Sequence, residues 1–240
     1  PAATLKILPR WCSAERSILE RMTKVRSTDL VGCLLAVPRQ IRLMYIHAYQ
    51  AYVFNRVVSA RIRKYGVNTV VEGDIVLEED ECIENDENLD DLRVNMPKVH
   101  VVTAEEAAAG TFDSSRVVLP LPGNAVIYPT NLGDIYNEIA SENGISHSEQ
   151  KHAVREFSIT SFTGDYRRCF LKPTHVSHEV ISYADQKADL VLTDLDRVQG
   201  TTEREIESGP LRAAKVKFRL PPSSYATMVL RELMKSNTSV

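Results

Sequence analysis

The chain has 240 residues, of which 43% are hydrophobic, so it can build one or two domains with a sizeable core and is not a mainly disordered protein. The longest nearly uninterrupted apolar stretch, residues 30 to 37, is too short to cross a bilayer, and the first ten residues lack the apolar segment of a signal peptide. Four cysteines are widely spaced without a CxxC pair, and the six histidines form no metal-ligand spacing with them. The sequence therefore predicts an intracellular protein, nuclear or cytoplasmic, with reduced thiols, no metal site and no membrane partner.

The net charge of -3 conceals a strong segregation of charge along the chain. Residues 1 to 71 contain twelve Lys and Arg against three acids, whereas residues 72 to 106 contain two against thirteen. A basic surface of this kind favours a polyanion partner such as RNA, because neutralising phosphates releases their counterions. The acidic segment at 80 to 92 is typical of a solvated loop.

Helices are predicted in the first part of the chain at 13 to 22, 28 to 37 and about 39 to 64. The third contains six Lys and Arg residues and no acid, so its cations lack partners within the helix and face solvent, a neighbouring element or phosphate. The cations at residues 61 to 64 are explained by their position at a solvated helix end. Arg42, His47 and Arg56 lie further inside, where a functional or interdomain contact and ordinary solvation are equally consistent with the pattern.

The middle of the chain predicts an irregular mixture of strands and helices. Capping-box patterns at Thr103 with Glu106 and at Ser146 with Glu149 each predict the start of a helix. A further helix is predicted at about 131 to 143, and neither a repeat nor a βαβ series is visible. The predicted strands are 70 to 77, 98 to 103, 116 to 123 and 125 to 129.

Clearer alternation marks the last third, where strands are predicted at 166 to 173, 175 to 183 and 211 to 220. Period-two spacing in the last strand gives it one basic face, which is either a phosphate-binding surface or an ordinary solvent-facing sheet. That face carries Lys215, Lys217 and Arg219, and the apolar face carries Ala214, Val216, Phe218 and Leu220.

A helix capped by Ser223 or Ser224 is predicted after the last strand, and it places Arg231 beside the basic face. Its core-facing positions are predicted to be Ala226, Val229, Leu230 and Leu233.

No self-sufficient catalytic motif occurs in the sequence. A P-loop, GxGxxG, GxSxG and HExxH are all absent from the 240 residues. The His147 and His152 pair and the His175 and His178 pair lack nearby ligands at fixed spacing and are interpreted as ordinary histidines. Asp165 offers a carboxylate for general-base chemistry, but no partner in the sequence is placed to shift its pKa.

Four ordered segments carry a family resemblance, and together they cover essentially the whole chain. The first contains the specific pattern RLMYxHAYQxYVxN, and the last is equally specific, whereas GDIVL alone would carry no weight. The chain resembles the TruD family of RNA pseudouridine synthases, in its eukaryotic branch. The segments are PRQIRLMYIHAYQAYVFNRVVSARI (38 to 62), VEGDIVL (71 to 77), VVLPLPGNAVIYP (117 to 129) and VKFRLPPSSYATMVLREL (216 to 233).

This resemblance implies an α/β (α+β) fold in two parts. Residues 1 to 165 resemble most of a TRUD insertion domain, and residues 166 to 240 resemble the C-terminal segment of the catalytic domain. The implied reaction converts uridine to pseudouridine in tRNA or other RNA and needs no metal or cofactor.

The catalytic residue of the family is not among these 240 residues. The family's Asp sits in a GxKD-type motif that this sequence lacks, so the chain is interpreted as the C-terminal half of the enzyme and no catalytic residue is assigned. The expected partners are RNA, above all tRNA, and the N-terminal half of the same enzyme.

Two sets of site residues follow. The late motif implies residues that support the active site: Lys217, Arg219, Leu220, Pro221, Tyr225 and Arg231. Charge and position suggest residues that bind RNA: Arg42, His47, Arg56, Arg61 and Lys215. The alternative is a non-enzymatic module that binds RNA or has a structural role.

Overall fold

The computed structural model describes residues 1–25, 28–78, 97–147, 163–202, 206–221 and 224–235. The described residues up to Phe170 form one unit, and those from Leu171 onward form a second. The predicted acidic loop at 80 to 92 lies outside the described residues, as does Glu149 of the second capping box. The assignment of residues 1 to 165 and 166 to 240 to the two family domains stays a prediction.

Among the described residues, four helices precede the first strand: α1 (Ala2–Ile7), α2 (Ser13–Met22), α3 (Leu30–Leu35) and α4 (Arg39–Tyr65). The sequence predicted α2 and α4 closely, whereas α1 was not predicted. Helix α3 is shorter than predicted, and it begins later because the Asp29 side chain accepts a hydrogen bond from the backbone N–H of Gly32 at 2.9 Å and so caps the helix there. Gly66 ends α4 with a φ of 77°, a conformation that glycine adopts without a steric cost.

An antiparallel four-stranded sheet forms the centre of the first unit, in the order β2-β1-β3-β4. Each strand is shorter than its predicted run. The strands are β1 (Ile75–Leu77), β2 (Val99–Val101), β3 (Val117–Leu121) and β4 (Asp165–Arg168).

The strand predicted at 125 to 129 is wrong. Side-chain hydroxyls and a backbone hydrogen bond, from Ala125 to the carbonyl of Thr163, hold this segment instead of a strand ladder. Ile127 donates its N–H to the Tyr166 hydroxyl at 2.6 Å, and the Tyr128 hydroxyl bonds both the N–H and the carbonyl of Gly123. The segment is therefore a fixed loop that follows β3.

Two further α-helices of this unit are α5 (Ala104–Ala109) and α6 (Gly133–Glu142). The predicted capping box of α5 is confirmed, with reciprocal hydrogen bonds between Thr103 and Glu106. Hydrogen bonds from His100 and Thr103 lower the pKa of the Glu106 carboxyl to about 2.

The main core of the first unit lies where α4 and α6 pack with β3. Its side chains are almost entirely removed from water, and burying an aliphatic or aromatic side chain stabilises a fold by about 1.5–3 kcal/mol. This packing fixes the position of α4. The buried cluster consists of Val53, Phe54, Val57, Leu119, Leu132, Tyr136 and Ile139.

The second unit contains a two-stranded antiparallel ribbon, formed by β5 (Thr174–Tyr183) and β6 (Leu211–Arg219). Both strands were predicted, whereas their pairing was not. Helix α7 (Asp194–Val198), which was not predicted, follows β5, and α8 (Ala226–Met234) follows β6. Tyr225 rather than a serine is the N-cap of α8, because the Ser224 hydroxyl donates to the carbonyl of Pro221 at 2.7 Å.

The predicted core-facing side of α8 is wrong within the described residues: Ala226 is exposed, Leu233 is 60% exposed, and Val229 is only half-buried. On β6 the apolar face is confirmed at Val216, Phe218 and Leu220, which are half-buried, whereas Ala214 is exposed. A two-stranded ribbon with short helices offers too little apolar area to cover these faces by itself.

Candidate nucleic-acid interface

Helix α4 is the element that positions most of the predicted RNA-binding residues. Its buried positions recur every three or four residues, as expected for one face of a helix. Gln50 on this face donates from Nε2 to the carbonyl of Pro122 at 2.8 Å, which ties α4 to the loop after β3. The opposite face is therefore held rigidly toward solvent. The buried positions are Gln50, Val53, Phe54, Val57 and Arg61.

The solvent-facing side of α4 carries aromatic, polar and basic side chains that we call the α4 stripe. Helical spacing places them on one side of the helix. Tyr45 is 56% exposed and Tyr52 is 46% exposed, and a groove of about 380 Å³ is lined by the part of the stripe from Tyr52 onward. The α4 stripe consists of Tyr45, Tyr52, Asn55, Arg56, Ser59 and Arg63.

Arg56 lines this groove and forms an ion pair with Glu142 of α6. Its Nη1 also donates to the Tyr52 hydroxyl at 3.2 Å, and its Cζ lies 5.8 Å from the centre of the Tyr52 ring. The hydrogen bond with Arg56 lowers the pKa of the Glu142 carboxyl and raises that of the Arg56 guanidinium, so both groups are charged at neutral pH.

Arg42 and His47, also predicted to bind RNA, lie in the N-terminal half of α4. Arg42 is half-buried and donates from Nε to the carbonyl of Val37 at 3.1 Å, which joins the start of α4 to the short link after α3. His47 is exposed, and its Nδ1 lies 3.0 Å from Oε1 of Gln50. Their contact with RNA stays a prediction.

Arg61 does not lie where the sequence led us to expect it. Its side chain has no exposed surface, and it forms a two-point ion pair with Asp74, with Nε 3.1 Å from Oδ1 and Nη2 2.6 Å from Oδ2. It also donates to the carbonyls of Gly66 and Thr69 at 3.0 Å and 2.8 Å. Since these partners occupy its donors, Arg61 is a structural residue in this fold rather than a solvated cation at a helix end.

Next to α4, three tyrosines surround the buried His147. The Tyr49 hydroxyl hydrogen-bonds to Nε2 of His147 at 3.1 Å, and the Tyr128 ring stacks on the imidazole with an interplanar angle of 12°. Tyr136 meets the imidazole edge-on. Burial lowers the pKa of His147, so the ring is neutral in the fold.

The basic face of β6 is only partly free. Lys215 pairs with Glu179 on the neighbouring strand, with a distance of 3.2 Å between Nζ and Oε2. Lys217 and Arg219 are exposed, and they lie opposite Ser177 and Thr174. The ribbon therefore presents its positive charge mainly at the C-terminal end of β6.

The remaining predicted support residues follow directly along the chain in the same unit. Leu220 is half-buried, Pro221 is exposed, and the Tyr225 ring is 60% exposed where α8 begins. Arg231 lies exposed on α8, with Nη1 3.9 Å from the sulfur of Met228. Their role in supporting an active site stays a prediction.

The sequence did not predict that Tyr52, Asn55, Ser59 and Arg63 line one groove with Arg56, and Arg63 was attributed to a solvated helix end. Their spacing of three or four residues from Arg56 was an available signal. The contribution of Glu142 had no such signal in the sequence, because this residue lies 86 positions further along the chain than Arg56.

Asp165 begins β4, and its carboxylate accepts a hydrogen bond from the backbone N–H of Tyr166 at 2.6 Å. Burial raises the pKa of this carboxyl. Among the residues that the structure describes, no group of three or more His, Cys, Asp or Glu side chains is arranged to hold a metal ion. Among these same described residues, no helix is both long enough and apolar enough to cross a membrane.

Comparison with known proteins was decisive for the family. A model of the family described as tRNA pseudouridine synthase D (TruD) matches residues 1–233. The chain belongs to the TruD family. The resemblance inferred from the four sequence segments is thereby confirmed.

Individual TruD relatives match the chain along its whole length. It is 37% identical over 242 residues to "Pseudouridylate synthase 7 homolog" of Homo sapiens, which covers 100% of this chain and 33% of the relative. It is 38% identical over 250 residues to "Multisubstrate pseudouridine synthase 7" of Schizosaccharomyces pombe, covering 99% of this chain and 36% of the relative. The chain therefore spans about a third of the length of these curated relatives.

A solved structure shares the fold. A crystal structure described as TruD from Methanosarcina mazei superposes with a TM-score of 0.61 at 27% sequence identity. The match covers 97% of this chain and 47% of that one. The predicted mixture of helices and strands is confirmed.

Proposed function

We propose that this chain is the C-terminal part of an RNA pseudouridine synthase, which converts uridine to pseudouridine in tRNA or other RNA. One observation carries the proposal: the family match extends over residues 1–233, and relatives that align with the entire chain bear the name pseudouridylate synthase. In the proposed enzyme the first unit positions RNA, and the second unit supports the active site.

The proposed reaction requires the target base to leave its stack and enter a pocket. The bond between N1 and C1′ of the uridine breaks, and the base rotates and rejoins the same sugar through C5. C5 loses its proton, and N1 gains one. The family resemblance assigns the catalytic carboxylate to an Asp outside this chain, which the proposed N-terminal half of the enzyme supplies.

The exposed apolar surface of the second unit supports this division of the enzyme. Val176 and Val180 on β5 are 59% and 64% exposed, and Met228 and Leu233 on α8 are 56% and 60% exposed. Large exposed apolar side chains on several elements are typical of a unit that another part of the protein covers. We infer that the N-terminal half of the same enzyme covers them.

Within that assembly, the basic end of β6 and helix α8 have a support role. Lys217, Arg219 and Tyr225 line the segment that leads into α8, and Arg231 lies on the helix itself. A guanidinium can hold a carboxylate ionised through two parallel hydrogen bonds. Arg231 is therefore proposed to orient the catalytic Asp and keep it charged.

Loss of the gene in its own organism tests this function. Chemical mapping of pseudouridine across cellular RNA is expected to show sites that disappear, with tRNA among the affected classes. The complete protein is expected to restore these sites. A version that lacks these 240 residues is expected to leave them unmodified. If every site persists while the protein still binds RNA, the chain belongs to a non-enzymatic RNA-binding module instead. Fractionation of the same cells tests the accompanying proposal of a nuclear or cytoplasmic location.

A further inference from the structure

The α4 stripe contains an aromatic ring that is held in place and open to solvent at the same time. The Tyr52 hydroxyl accepts a hydrogen bond from Arg56, and the Tyr49 ring lies 6.4 Å away at a tilt of 36°. Nearly half of the Tyr52 surface nevertheless remains exposed. An ordered, exposed tyrosine is a suitable platform for stacking a flat ligand, because little side-chain entropy is lost on binding.

Positive charge lies directly beside this ring. Arg56 and Arg63 line the same groove as Tyr52, and α4 contributes no acid along its entire length. Asn55 and Ser59 add hydrogen-bonding groups between them. The groove volume of about 380 Å³ lies in the range of sites for small ligands, roughly 300 to 1,000 Å³. A flat aromatic group attached to phosphates fits this combination.

We infer that the α4 stripe is a subsite for single-stranded RNA, in which one unpaired base stacks on Tyr52 while Arg56 and Arg63 bind adjacent phosphates. This inference rests on the proposed function, since it takes RNA as the partner. It adds that the bound RNA is single-stranded and that it lies on the α4 stripe. Duplex RNA does not fit, because its bases are stacked inside the helix and cannot reach the ring.

Glu142 holds Arg56 in the absence of RNA. Both side chains of this ion pair are well exposed, at 38% for Arg56 and 45% for Glu142, and solvent-exposed pairs are weak. A phosphate can therefore replace the carboxylate without leaving a buried charge unpaired. Glu142 also repels RNA, so it lowers the affinity of the subsite.

The test measures binding of the 240-residue chain to a fluorescent uridine-rich 12-mer and to an RNA hairpin duplex, between 50 and 200 mM salt. Tyr52→Ala is expected to weaken single-strand binding by about fivefold or more, and Tyr52→Phe to retain most of it, because stacking needs only the ring. Arg63→Gln is expected to reduce the salt slope by about 0.7, the value for one phosphate contact with a single strand. Glu142→Gln is expected to strengthen binding.

Two matched controls lie outside the α4 stripe. Trp11→Ala removes another exposed aromatic ring, and Arg197→Gln removes an exposed cation of the second unit; neither is expected to change the affinity. Single-strand binding that is unaffected by Tyr52→Ala and Arg63→Gln overturns the subsite and leaves the proposed enzyme standing. The subsite is also overturned if the two controls lose as much RNA affinity as the stripe variants, or if the chain prefers the duplex. A third contradicting result is that the stripe variants change self-association of the chain instead of its RNA affinity. Absence of pseudouridine formation by the complete protein, with the variant effects intact, overturns the enzyme and leaves the subsite.

Discussion

Arg61 and Asp74 form a fully buried ion pair that fastens the C-terminal end of α4 to the turn before β1. Asp74 also accepts hydrogen bonds from the backbone N–H of Val71 at 3.0 Å and from Nδ2 of Asn131 at 3.2 Å. The Arg61 guanidinium lies 5.2 Å from the centre of the Phe170 ring. One ion pair therefore joins the helix that carries the α4 stripe to three other parts of the unit.

Arg61→Ala is expected to lower the free energy of unfolding by about 3–5 kcal/mol, because it leaves Asp74 as a buried charge without its cation. Urea unfolding followed by circular dichroism measures this change. Arg63→Ala, two residues along the same helix and exposed, is the control and is expected to change stability by about 0.5 kcal/mol or less. An equal effect of the two substitutions would contradict the structural role of Arg61.

Gly123→Ala is expected to destabilise the first unit by about 1–3 kcal/mol. A Cβ atom at this position would overlap the backbone of Thr163 and Gly164, and Gly164 itself has a φ of 85°. Gly133→Ala is the control, since a Cβ there meets no atom within 4 Å. Thermal unfolding compares the two variants, and the prediction fails if Gly123→Ala is as well tolerated as Gly133→Ala.

Stability is expected to fall as the pH drops below about 6.5, in part through His147. Burial lowers the pKa of His147 in the fold, so the unfolded chain takes up a proton that the folded chain resists. The stabilisation is complete above the unfolded pKa and is lost progressively below it. The surrounding hydroxyls of Tyr49, Tyr128 and Tyr136 do not titrate in this range, because burial raises their pKa values.

His147→Gln keeps a hydrogen-bonding group for Tyr49 but does not titrate. Urea unfolding between pH 7.5 and 5 is expected to show a smaller loss of stability in this variant than in the unchanged chain. The other histidines contribute equally to both proteins, so the difference isolates His147. A difference that is independent of pH would contradict the buried neutral ring.

Local signals predicted most of the first unit. The period of α4, its end at Gly66 and the Thr103 capping box are all written within a few residues of sequence. Helix α7 was not predicted although it also has a local signal, because Thr193 and Asp196 form a capping box at its start.

Long-range contacts account for what could not be predicted. Arg61 looked like one more cation near a helix end, because its burial depends on Asp74 and on carbonyls beyond the helix. The loop at 125 to 129 has strand-like composition, but its conformation depends on distant partners: Ile127 binds the Tyr166 hydroxyl 39 residues away, and Ala125 donates to the carbonyl of Thr163. The position of Arg56 on α4 likewise depends on Glu142 from another helix.

Substitutions of Arg231 test the proposed support role of the second unit. In the complete enzyme, Arg231→Ala is expected to reduce turnover far more than RNA affinity, because the defect lies in the position and charge of the catalytic carboxylate. Arg231→Lys is expected to be intermediate, since it keeps the charge but loses the planar two-point donor. Steady-state kinetics and equilibrium binding separate these effects. Normal turnover in both variants, or losses that only follow thermal stability, would make Arg231 a structural residue.

Release of tritium from RNA that contains [5-³H]uridine tests most directly whether this chain is part of an RNA pseudouridine synthase. C5 must lose its hydrogen when it bonds to C1′, so tritium release reports isomerisation itself. We predict multiple-turnover release by the complete protein and none by the 240 residues alone, because positioning cannot replace the catalytic carboxylate. Sustained release by the isolated chain would contradict this division and direct attention to Asp165. Failure of the complete protein to release tritium from any cellular RNA would contradict the proposed function.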